Sequence, residues 1–402
     1  MLSEFDLIDR FFLQRARRAT ALGRGAHLGI GDDCALLPGR PGADYAVSTD
    51  MLVAGRHFLA DVDPYRLGHK CLAVNLSDLA AMGATPTAFT LALALPRADA
   101  DWLEAFSAGL FALAERFGCE LVGGDTTAGP LTISITIFGD VPTGMALRRD
   151  AARPGDDIWV SGTLGDARLA LGLMRGDWGR AALRPDIWPA ACAATPADDG
   201  RASDDTPGRT DVHAQPAPAD DAAATHAAVR DAMEMPEPRV TLGVALRGIA
   251  HAAIDLSDGL AGDLGHILKR SGVGAVVDVD AVPRSAHLAR HSTAIQRECT
   301  LAGGDDYELC ITAPAAARAQ MLDAAARCGV RLSRIGAIVA LEPAAPAAPA
   351  AAGTPGAAAP AADTAIAAAR PAMAHPARLT WTDRHGAPLN LSLTGFDHFH
   401  AD

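Results

Sequence analysis

At five places along this chain an apolar run gives way to small residues and then to an aspartate: Gly29 to Asp33, Ala46 to Asp50, Leu121 to Asp125, Ala253 to Asp258, and Leu301 to Asp306. A short apolar run bounded by Gly or Ser reads as a strand, and a residue just past its end faces the crevice at the sheet edge. Such a chain gathers carboxylates at the ends of buried strands. Together with Asn75-Leu76-Ser77-Asp78 they amount to more acid than a protein leaves unpaired. Crowded carboxylates repel and raise each other's pKa unless a cation intervenes. The economical reading is a cluster of divalent ions, and hard oxygen donors without Cys and His pairs nearby favour magnesium or calcium over zinc. One Gly-Asp turn is usually only a turn; the repetition carries the argument.

The overall balance limits the partners. A length of 402 residues and an apolar content of 49% suit two ordinary domains with large cores. A formal net charge of -13 argues against nucleic-acid or anionic-membrane partners, because such binding rests on Lys and Arg neutralising phosphates. Lysine is confined to Lys70 and Lys269, which reads as compositional bias. The seven cysteines form no C-x-x-C pair and read as buried thiols in a reducing cytosol. Met1 to Asp6 lacks the basic flank of a signal peptide, and no apolar run reaches membrane length. A cytoplasmic location is expected.

In chain order, Ser3 and Asp6 resemble a capping box ahead of Phe5, Ile8, Phe11 and Phe12 on one helical face. Ser48-Thr49-Asp50 reads as a strand end. A helix is expected from about Leu67 to Met82, stopped by Gly83, with Asn75 and Asp78 on one face addressing one site. A second helix carries Trp102, Leu103, Phe106, Leu110 and Leu113, followed by a Gly123-Gly124-Asp125-Thr126-Thr127 turn. Leu131, Ile133, Ile135 and Ile137 alternate with Thr132, Ser134 and Thr136, which predicts a strand buried on one face whose polar second face could meet a partner subunit. Arg148 and Arg149 close a first domain, 1–150, and Pro154-Gly155-Asp156 opens a second, 151–402. Disordered insertions are expected within it at about 193–228 and 342–371, where Ala, Pro, Asp and Thr leave few large apolar side chains to offset ordering entropy.

Gly124 beside Asp125, and Gly304 beside Asp305, combine close backbone approach with a ligand carboxylate, which suits a polyphosphate held through magnesium. The Walker A, Gly-rich-loop and H-R-D patterns are missing. Phosphates would then be held by metals, backbone N–H groups and arginine, with Arg149 the best-placed cation. Asp33 is the ligand candidate of its pair, Asp32 a cap or brace, and Asp306 is read as structural. Taken alone, His57 would be a partly buried structural histidine and Phe396 a plug on the core.

These stretches, with Ser48-to-Phe58, Ala73-to-Ala84, Ile254-to-Leu260 and the closing Phe396-Asp397-His398-Phe399, resemble the thiamine-monophosphate kinase family from about residue 4 to 400, outside the two insertions. The broader likeness is to aminoimidazole ribonucleotide synthetase, selenophosphate synthetase and hydrogenase maturation proteins. The resemblance implies a two-domain α/β fold of the α+β kind and a homodimer in which N-terminal strands build a shared barrel. It implies magnesium ligation by Asp33, Ser48, Thr49, Asp50, Asp78, Asp125, Asp255 and Asp258, with Asp78, Asp125 and Asp258 central to catalysis. ATP would meet Gly124, Asp125, Arg149 and Ser257; thiamine monophosphate would meet His57, Asp305 and Phe396. The family usually has Glu where this chain has Asp305, one methylene shorter, and the contact is expected to persist through a small shift or a water. The implied reaction yields thiamine diphosphate and ADP. The alternatives are a selenophosphate synthetase, although no reactive Cys lies before Cys34, a phosphatase, or a non-enzymatic metal binder, although EF-hand and RTX spacings are absent.

Overall fold

The computed structural model describes residues 11–12, 39–178, 219–341, 379–391 and 393. The first sheet has four strands, β1 (Ala43–Val53), β2 (Thr85–Leu95), β3 (Glu120–Ala128) and β4 (Thr132–Pro142), in the order β1-β4-β2-β3. β4 runs antiparallel to both its neighbours, and β2 and β3 are parallel. A parallel pair needs a crossover, and α2 (Ala100–Phe117) supplies it, as α1 (Pro64–Ala81) links β1 to β2. Ile133, Ile135 and Ile137 of β4 are buried, while the intervening Thr132, Ser134 and Thr136 are only half-buried.

The second sheet has seven strands: β5 (Asp156–Ser161), β6 (Ala252–Asp255), β7 (Gly274–Asp278), β8 (Leu309–Pro314), β9 (Leu332–Val339), β10 (Leu379–Thr382) and β11 (Pro388–Leu389). Their order is β11-β10-β7-β9-β5-β8-β6, antiparallel except for β10 beside β7. Around it lie α3 (Asp166–Arg175), α4 (Ala219–Glu234), α5 (Val240–Ala245), α6 (Leu260–Ser271), α7 (Thr293–Ala302) and α8 (Arg318–Arg327). This is a two-domain α/β architecture with mixed sheets. Among the described residues no helix is long and apolar enough to cross a membrane.

α1 joins the two halves. Asp63 caps it by accepting the Arg66 N–H at 3.1 Å, and Pro64 supplies a preset φ at the first turn. A helix apolar on every side must be buried on every side. Leu67, Leu72, Leu76 and Leu79 are all within 1% of full burial, with α2, β1 and β4 on one side and α5 and β6 of the second domain on the other. Its C-terminal end therefore carries Asp78 to the junction between domains.

Four expectations change. Ser48-Thr49-Asp50 lies inside β1, whose pairing with β4 continues through to Val53. Gly123 to Thr127 is strand rather than turn: at Gly124, φ is 155° and a Cβ would sit 1.9 Å from the Leu91 carbonyl oxygen, so glycine is what lets β3 lie this close to β2. Asn75 is fully buried and donates back to the Cys71 carbonyl at 3.0 Å, so it packs inside the helix bundle. Residues 219–228, expected to be disordered, belong to α4. Alanine favours helix, and Val229 and Met233 seat α4 in one cluster with Leu169 and Leu173 of α3. The other parts of the two expected insertions, and the N-terminal helix apart from the buried Phe11 and Phe12, lie outside the described residues.

Val229→Ala should therefore lower stability by on the order of 2 kcal/mol, the cost of removing buried methyls without full relaxation. A urea midpoint that does not move would show that α4 adds nothing to the core.

Candidate active site

A cavity of about 760 Å³ opens where β1, α1 and the loops around β6 and β8 meet. The first domain contributes Thr49, Asp50, His57 and Asp78 to its wall, and the second contributes Asp255, Ser257, Asp258 and Asp305. Phe58, Leu59, Val62, Leu171 and Met233 line an apolar side. The cavity thus has an acidic floor and an apolar flank, the form of a site for a charged group attached to an organic body.

The floor is held by hydroxyls. Ser48 donates to Asp78 Oδ2, and Ser77 Oγ donates to Asp255 Oδ2 at 2.9 Å. Successive residues of α1 thereby grip β1 on one side and β6 on the other. Asp263 Oδ2 accepts the Asp258 N–H at 3.0 Å and fixes the loop after β6. Burial raises the Asp50 carboxyl to about 7, with Asp78 adding to it. Burial likewise raises Asp255 to about 8, with Asp78 and Asp263 adding to it, and Asp263 to about 7, with Asp258 adding to it. Asp78 is raised by burial and eased down by Ser48 and the positive charge of Arg149. Each carboxylate feels the next, so ionising all of them at neutral pH requires added positive charge.

His57 accepts the Val53 N–H on Nδ1 at 3.0 Å, which leaves the proton of the neutral ring on Nε2. Asp305 sits in a left-handed turn with φ 64° and pairs with the Lys70 ammonium at 2.5 Å. Asp306 accepts the Gly165 N–H at 2.8 Å at the start of α3, which is a structural use.

Not all the expected residues meet here. Across the first sheet Met51, Ser134, Ala92 and Asp125 stand in register, so Asp125 shares the outer face with exposed Met51. It lies roughly 14 Å from β1, three strand spacings away. Gly124 and Asp125 are exposed on this far strand. Arg149 is exposed at the rim, its carbonyl accepting from Ser271 and its charge acting on Asp78, Asp255 and Asp263. Asp33 and Phe396 lie outside the described residues. Sequence reading missed Lys70 and Asp263. For Lys70 the available signal was a lone lysine within the apolar stretch Leu67 to Ala73; Asp263 has nothing to set it apart from other acidic residues in a first helical turn.

The donor set fits magnesium. Among the described residues no three acidic, His or Cys side chains form a ready cage for one ion. Magnesium keeps several waters and is bound by one or two carboxylates plus substrate phosphates, not by an all-protein cage. A row of mutually repelling carboxylates beside Ser48 and Thr49 hydroxyls is suited to ions that arrive with phosphates.

Residues 31–141 match the AIR synthase related protein N-terminal domain, and residues 213–343 match its C-terminal domain. A thiamine-monophosphate kinase of Salmonella typhimurium is 44% identical over 338 residues, 84% of this chain and 90% of that protein. The crystal structure of thiamine-monophosphate kinase from Stenotrophomonas maltophilia K279a superposes with a TM-score of 0.69 at 45% identity, covering 85% of this chain and 95% of that one. AaThiL complexed with AMPPCP and TMP superposes with a TM-score of 0.58 at 27% identity, covering 85% and 92%. With that identity running along most of both sequences, the chain belongs to the thiamine-monophosphate kinase family.

Proposed function

We propose that this protein transfers the γ-phosphoryl group of ATP to the phosphate of thiamine monophosphate, giving thiamine diphosphate and ADP. Beside the family membership, the observation that carries this reading is the meeting of Asp50 and Asp78 with Asp255 and Asp258 in one cavity with an apolar flank. The acceptor needs little activation, because a phosphate monoester with a second pKa near 6 is largely dianionic at neutral pH. The obstacle is repulsion between two polyanions. Bound magnesium ions would neutralise both partners, held by Asp33, Ser48, Thr49, Asp50, Asp78, Asp125, Asp255 and Asp258. Arg149 and Ser257, with Gly124 and Asp125, are assigned to ATP. His57, with Nε2 as donor, is assigned to the phosphate of thiamine monophosphate, Asp305 to the hydrogen-bond donors of its organic part, and Phe396 to the same substrate. Asp78 is the central residue, since Ser48 fixes its orientation and its charge reaches both Asp50 and Asp255.

We further propose a cytoplasmic homodimer with a domain boundary near residue 150. β1 and β3 are the two open edges of the first sheet, and Tyr45, Val47 and Met51 are 45%, 57% and 57% exposed along β1. An open edge with exposed apolar residues is a pairing surface, and closing a barrel removes such edges. When β1 of one copy meets β3 of another, Asp125 is brought alongside the strand that carries Thr49 and Asp50. That arrangement accounts for its distance from them within one chain.

Asp78→Asn should cut turnover at least about 100-fold, the scale for losing a group that positions transition-state charge, while melting stays near wild type. The check is to follow thiamine diphosphate and ADP separately in saturating magnesium; unchanged turnover would remove Asp78 from the machinery. Asp50→Asn and Asp125→Asn dimers should each be inactive, yet regain about a quarter of wild-type activity once subunits exchange, because half the sites in each mixed dimer are intact. No recovery despite proven exchange would place both residues in one subunit's site. Metal-free protein should also lose stability as pH rises. Raised carboxyls cost nothing below the unfolded value near 4, and the full cost is present above the folded values of about 7 to 8 at Asp50, Asp263 and Asp255. Melting in EDTA from pH 5 to pH 8.5 should fall and magnesium should reverse the fall; a flat profile would mean the carboxylates are not crowded.

A further inference from the structure

Lys70 is one of two lysines in the chain, and its side chain is 5% exposed in the cavity wall. A buried ammonium is costly unless paired and hydrogen-bonded. Here Nζ donates to Asp305 Oδ2 at 2.5 Å and to the Met233 carbonyl oxygen at 2.9 Å. One cation on α1 therefore ties together the end of α4 and the loop before β8, at the edge of the apolar flank.

That loop depends on outside support. Gly304, Asp305 and Tyr307 have φ of 69°, 64° and 51°. At Gly304 a Cβ would meet the Ser257 carbonyl oxygen at 2.6 Å, so the loop lies directly on the segment that follows β6. The Asp305 N–H donates to Ser257 O at 2.8 Å and the Tyr307 N–H to Leu256 O at 2.9 Å. Left-handed conformations persist at non-glycine residues only where the surroundings over-determine them, and Asp tolerates them better than longer side chains. With the backbone fixed on one side, Lys70 fixes the side chain on the other. It occupies Oδ2, beside a further hydrogen bond between the carboxylate and the Tyr307 side chain, and it offsets the Asp305 charge in a cavity already crowded with carboxylates.

We infer that Lys70 is a positioning residue that sets affinity for the phosphorylated acceptor by orienting Asp305 and offsetting its charge. The inference rests on the kinase reading and on Asp305 facing the acceptor. Lys70 thereby holds the Asp305 carboxylate with a cation from a different domain.

The test compares wild type, Lys70→Met, Asp305→Asn and the double variant, with ATP and thiamine monophosphate varied independently. Lys70→Met should raise KM for thiamine monophosphate about tenfold or more, as expected when one partner of a buried charge pair is removed. KM for ATP and kcat should stay within about twofold of wild type, and the double variant should be no worse than the weaker single one, because a residue acting through another is non-additive with it. Multiplicative losses, or a loss expressed in kcat or in KM for ATP, would overturn the inference. If Lys70→Met does not fold, Lys70→Gln and Lys70→Arg replace it. The charged variant must then bind thiamine monophosphate more tightly in calorimetry than the neutral one, and equal affinities would overturn the inference. Wild-type protein making no thiamine diphosphate would instead sink the kinase reading, so the two failures are distinguishable.

Discussion

The structure depends on mutual repulsion among carboxylates held out of water. Asp255 and Asp263 are buried and Asp50 and Asp78 half-buried; withdrawal from water raises the proton affinity of all four, and a neighbouring carboxylate adds to it at Asp50, Asp255 and Asp263. A fold gains nothing in stability from this arrangement, since each ionised group adds to the cost of the next. It is the form expected of a site whose missing charge comes with its substrates. Under the proposed function, two polyanionic phosphates with their ions would complete the electrostatics that the protein leaves open.

α1 makes that crowding possible. Its apolar residues bury it on all sides, and its polar side chains include two links to the second domain, Lys70 to Asp305 and Ser77 to Asp255, while Asp78 ties it to Ser48 within the first. Residues 70 and 77 lie two helical turns apart on one face, with 78 beside them. A helix this deeply embedded can hold β1, β6 and the loop before β8 to within hydrogen-bond tolerance because its own packing leaves it little freedom. Precision at the site is thus a consequence of the core.

Much of the site was legible before the fold was known. Asp50, Asp78, Asp255, Asp258 and Asp305 were singled out from local motifs and His57 from the family resemblance, and all six line one cavity. Each motif sits within a few adjacent residues, and although one such turn is usually only a turn, its repetition along the chain was informative. Asp125 has the same local grammar, yet lies on another strand and another face, because strand order and the alternation of side chains across a sheet are set by non-local pairing. Lys70 was set aside as composition for a related reason: its partners are 163 and 235 residues away in sequence.

Local order was misjudged where tertiary packing supplied what composition lacked. Residues 219–228 are poor in large apolar side chains and look unfoldable in isolation, yet continue into Val229 and Met233, which find a surface on α3. The residue pattern by itself pointed to acid-rich chemistry and carried the family resemblance, and the resemblance in turn implied the two-domain α/β class, because motifs rest on short-range spacing and residue type. Only the tertiary structure decided which carboxylates share a cavity, which one lies across the sheet, and which lysine supports Asp305. Those outcomes depend on register and burial, which no window of neighbouring residues contains.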